Sequence, residues 1–81
     1  MNKTVDEHFE DNFKVALILI SSRRYEDAVS LLSELLERQL QPRDRGAALY
    51  SLAEVYQLTG NTDAAIKYYR ESITYFPGNI Y

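Results

Sequence analysis

The residues best suited to chemistry sit near the start of the chain. His8 lies in the acidic stretch Asp6-Glu7-His8-Phe9-Glu10-Asp11. This gives catalysis little to work with, though the Glu7-His8 and Glu10-Asp11 cluster could hold a cation weakly. Acidic residues at the start of a helix, solvated and favoured by its dipole, account for the same pattern. With one His and no Cys in the chain, multi-His and thiolate metal centres are excluded, as are disulfides and thiol nucleophiles. No Ser stands in a nucleophile motif, and no glycine-rich loop could cradle a phosphate. The expectation is a protein without catalytic residues, metal or cofactor, and not an enzyme.

The remaining chemistry is contact chemistry. Six of the seven Tyr fall from residue 50 onward: Tyr50, Tyr56, Tyr68, Tyr69, Tyr75 and Tyr81. Tyr is enriched at interface hot spots, so this bias points to recognition of another surface. The run Val15-Ala-Leu-Ile-Leu-Ile20 is apolar on every side of a helix, more than one stripe needs. Ile18 and Ile20 are the excess, and a contact with a second copy or the chain's own N-terminal segment would cover them. The net charge is -3 and the pI about 5.0, with Arg23, Arg24, Arg38, Arg43 and Arg45 only loosely grouped. No nucleic-acid partner is expected. The six-residue apolar run is far short of the roughly 20 needed to span a bilayer, so no membrane partner is expected either. Nothing at the N-terminus reads as a signal peptide, and with no Cys the expected location is cytoplasmic.

These groups need elements to position them. Only three Gly and two Pro occur in 81 residues, none of them before residue 42. Long breaker-free segments rich in Leu, Ala, Glu and Arg read as helix. Four are predicted: Val5–Ile20, with Thr4 and Glu7 at capping-box spacing; Tyr25–Leu40; Arg43–Leu58; and Thr62–Phe76. Glu34–Arg38 and Asp63–Lys67 are i,i+4 pairs on the second and fourth. Leu31, Leu32, Leu35, Leu36 and Leu40 read as core packing, since the run is too short for a coiled coil. Short connections make the helices antiparallel neighbours. At 9.4 kDa the fold rests on apolar burial alone, with about 3–5 kcal/mol from a single core.

The chain also repeats itself. Aligning Ala28 with Ala65 pairs Tyr25 with Thr62, Leu32 with Tyr69 and Leu36 with Ile73, and upstream Val15-Ala16 with Leu52-Ala53 and Leu19 with Tyr56. Within the second hairpin, Leu49, Leu52-Ala53, Tyr56, Gly60, Ala65, Tyr69 and Pro77 fall at the positions of a tetratricopeptide repeat, which this hairpin resembles. Leu49 replaces the usual Trp and Ser72 the usual Ala. The first hairpin departs further, with Asn12 for a large apolar residue, Arg23 for the turn Gly and Leu40 for the closing Pro. The 37-residue spacing of the Ala anchors exceeds the family period of about 34, which places extra residues within Gln41–Arg45, as a helical turn or a longer loop.

The resemblance implies an all-α fold, antiparallel helical hairpins stacked as a short right-handed solenoid. Its expected divisions are a lead-in over 1–8, hairpins over 9–42 and 43–77, and a tail over 78–81. It implies a groove along the first helix of each hairpin: Glu10, Phe13, Lys14, Leu17 and Ile20, then Ala47, Tyr50, Ser51, Glu54, Gln57 and Leu58. Phe13, Leu17, Tyr50, Glu54 and Leu58 are the predicted partner-binding residues, with core packing the plain alternative for Phe13, Leu17 and Ile20. Some relatives hold a C-terminal carboxylate in this groove; the matching positions here are Phe13, Leu17 and Glu54, which cannot. Ile18, Ile20, Tyr68, Tyr75 and Phe76 are candidates for self-association. The aromatic last helix fits an interface or a piece cut from a longer array. The implied function is a non-catalytic scaffold or adaptor that binds an apolar or basic helix or peptide, or self-associates as a homo-oligomer. The alternative is a small assembly or secretion chaperone that shields an apolar client helix.

Overall fold

A computed structural model describes residues 8–76. They form four antiparallel helices: α1 Phe9–Ser21, α2 Tyr25–Leu36, α3 Pro42–Leu58 and α4 Thr62–Ile73. No strand occurs among the described residues. α1 pairs with α2, and α3 packs on α1, α2 and α4, so α3 is the central helix. Gly46, Ala48, Leu49, Ser51, Leu52, Ala53 and Val55 are all buried on it. Small residues on several sides let three neighbours approach one helix closely.

The core joins both hairpins. Phe9 and Ala16 from α1, Leu32 and Leu35 from α2, Leu40 from the loop, and Ala48 and Leu52 from α3 form one cluster. The Ala anchors of the repeat, Ala16, Ala28, Ala53 and Ala65, are all buried. Each large apolar side chain sunk this way stabilises the fold by about 1.5–3 kcal/mol.

Both hairpins turn by the same device. After α3, Gly60 takes φ 86, the Gly60 amide donates to the Gln57 carbonyl at 3.1 Å and the Asn61 amide to the Tyr56 carbonyl at 2.8 Å. After α1, Arg23 takes φ 62, donating to Ile20 at 3.0 Å, while Arg24 donates to Leu19 at 2.8 Å. These are matching Schellman closures. The first hairpin thus keeps the family turn with a side chain where glycine is easier.

Two helices stop short of expectation, and one predicted start cannot be placed. The predicted cap at Thr4 and the start at Val5 lie outside the described residues. α2 stops at Leu36 rather than Leu40. The Arg45 guanidinium donates to the carbonyls of Leu36 at 2.9 Å and Arg38 at 2.8 Å, satisfying groups that a continuing helix would have used. Pro42 holds Gln41 extended (φ -67, ψ 151), and Leu40 drops into the core from the loop. α4 stops at Ile73 rather than Phe76. The Thr74 hydroxyl donates to the Glu71 carbonyl at 2.7 Å, and the amides of Tyr75 and Phe76 donate three residues back. Of the stretch Gln41–Arg45 that the repeat spacing singles out, residues 42–45 form the first turn of α3. Glu34 and Arg38 approach to 3.5 Å as expected. Asp63 and Lys67 do not pair; Lys67 Nζ lies 5.2 Å from the centroid of the Tyr68 ring instead.

Candidate functional site

A groove of about 530 Å³ runs along the inner face. Phe13 and Leu17 of α1 form one side. Ala47, Tyr50, Ser51 and Glu54 of α3 form the floor, and Ser72, Ile73 and Phe76 close the other side. Helical spacing explains the set: Phe13 and Leu17 are four apart, as are Tyr50 and Glu54, so each pair shares a face. Leu17 and Tyr50 are exposed, at 41% and 50%. Glu54 is the sole charged residue among those lining the groove.

Four of the five predicted groove residues, Phe13, Leu17, Tyr50 and Glu54, therefore lie together. Leu58, at 56% exposure, lies at the C-terminal end of α3 and does not line the groove. Phe13 also stacks on Phe9, with ring centroids 5.1 Å apart, and Ile20 packs against the core.

The wall supplied by α4 was not anticipated as part of the groove. Tyr69 stands beside it, edge-on to Tyr50 at 5.2 Å, and its hydroxyl donates to Gln57 Oε1 at 2.8 Å. Burial, then the proximity of Tyr50 and Glu54, push the Tyr69 phenol above its ordinary value of 10.0. It stays neutral and remains a donor at physiological pH. The repeat pairs Tyr69 with Leu32, which is fully buried under α3. No described helix covers α4 in the same way, so Tyr69 keeps a wet edge.

The candidates for self-association divide. Ile18 is 63% exposed on the far side of α1. Tyr68 stacks on Tyr56, with centroids 5.6 Å apart, and packs against the core. Tyr75 and Phe76 are half-buried over the first turns of α3. A Cβ on Gly46 would come within 2.9 Å of Tyr75 Cβ and 2.8 Å of the Phe76 ring. That close approach is why a glycine occupies a buried helical position. His8, which opens α1, belongs to no group of three or more metal-ligating residues among those described.

A family model described as tetratricopeptide repeat matches residues 11–77. The chain belongs to the tetratricopeptide repeat family. No curated protein and no solved structure matches it. Repeats of this family mediate protein–protein interaction, and that is the function the membership assigns at the level of class. No described helix is long and apolar enough to cross a membrane.

Proposed function

We propose that this tetratricopeptide repeat chain is a non-catalytic binding module whose inner groove takes a partner helix or peptide with apolar anchors and a basic residue. The observation that carries the reading is the convergence of Phe13, Leu17, Tyr50, Ile73 and Phe76 around a single carboxylate, Glu54. Aromatic and aliphatic groups supply the burial, and Glu54 selects the charge of what docks. An acidic segment would be repelled.

Selection from a displayed library of short peptides tests this. Binders should carry apolar residues at helical spacing and a Lys or Arg. Tyr50→Ala and Leu17→Ala should each weaken them at least tenfold, since buried aromatic anchors cost about 2 kcal/mol or more on truncation. Glu54→Lys should turn the preference toward acidic peptides. Binders that ignore all three substitutions would refute the groove.

A further inference from the structure

The joint between the two hairpins has two faces. On α3 they are Leu52 and Val55, only 2% and 1% exposed. On α2 they are Val29 and Leu36, packed against the core. Val29 and Val55 line one crevice between the helices. The internal repeat duplicates both faces. Leu52 and Val55 correspond to Val15 and Ile18 of α1, which are 47% and 63% exposed. Val29 and Leu36 correspond to Ile66 and Ile73 of α4, which are 44% and 65% exposed. Each half of an interface that already exists in the molecule thus occurs a second time, uncovered, on opposite ends of the stack.

We propose that copies of this chain associate end to end, α1 of one copy seating on α4 of the next as α3 seats on α2. Ile18 takes the place of Val55, and Ile66 of the next copy takes the place of Val29. The existing joint sets the polarity, since the first turn of α3 lies at the C-terminal end of α2, where Arg45 reaches the Leu36 carbonyl. The contact is heterologous, so unless it closes a ring it adds copies rather than stopping at two.

Sedimentation velocity on the whole 81-residue chain tests the proposal. The unmodified protein should grow from monomer to longer species as concentration rises. Ile18→Glu and Ile66→Glu, both at exposed positions, should keep their helical circular dichroism and each be monomeric alone. Mixed in equal amounts they should give a 1:1 dimer and nothing longer, because one intact α1 face meets one intact α4 face. A protein that stays monomeric into the millimolar range overturns the proposal. So do variants that still associate alone, or a mixture that stays monomeric. Ile73 belongs to both the groove and the end face, but neither Ile18 nor Ile66 lines the groove, so peptide binding by the monomeric variants should survive both substitutions, and failure of one idea is distinguishable from failure of the other.

Discussion

At the scale of single residues, Arg23 and Tyr69 carry unusual conditions. Arg23 holds the left-handed conformation that Gly60 adopts in the second hairpin. A side chain there costs roughly 1–2 kcal/mol, part of which glycine returns as extra freedom in the unfolded chain. Arg23→Gly should therefore stabilise the protein by about 1 kcal/mol in urea unfolding. Tyr69 titrates above 10.0 in the folded protein, because burial and then Tyr50 and Glu54 oppose its charged form. Its raised value means that the associated stability is fully present below pH 10 and is lost as pH rises through the higher folded value. Subtracting the phenolate absorbance titration of Tyr69→Phe from that of the parent should isolate a phenol that ionises late. A difference curve centred at or below pH 10 would contradict this.

At the scale of elements, the end of α2 shows what a sequence hides. Glycine and proline scarcity, the Ala anchors and the apolar spacing were enough to place four helices and their pairing. The resemblance to the tetratricopeptide repeat, carried over residue by residue, implied that Phe13, Leu17, Tyr50 and Glu54 share a groove, and the four-residue spacing puts each pair on one face of its own helix. The stop at Leu36 was not legible, since Arg45, nine residues away, folds back onto the carbonyl of Leu36 and that of Arg38 in the loop beyond it. The groove wall from α4 was hidden for a similar reason. Ile73 and Phe76 join the groove through the way α4 lies on α3, which no local pattern encodes. Removing the cap by Arg45→Ala should cost about 1.5–3 kcal/mol, the range for hydrogen bonds from a charged donor, read as a lower denaturation midpoint at unchanged slope. An unaltered midpoint would mean that water replaces the guanidinium without loss.

At the scale of the whole molecule, the helices are unequally supported. α3 is enclosed by three neighbours, whereas α4 packs on α3 alone among the described helices. Native-state hydrogen exchange should find the amides of α4 opening at lower free energy than those of α3, with α1 and α2 protected by each other. Equal protection in α3 and α4 would show that the four helices open only together. Occupation of either α4 surface, the groove or the end face, should raise protection in α4, since a ligand stabilises the state it binds.

The one-sided support of α4 also gives the molecule a direction of mechanical weakness. Tension applied between the two ends of the described chain would have to open the α3–α4 seam to free α4, since no other described helix packs on it. Whatever docks beside α4 would then act as a latch against extension.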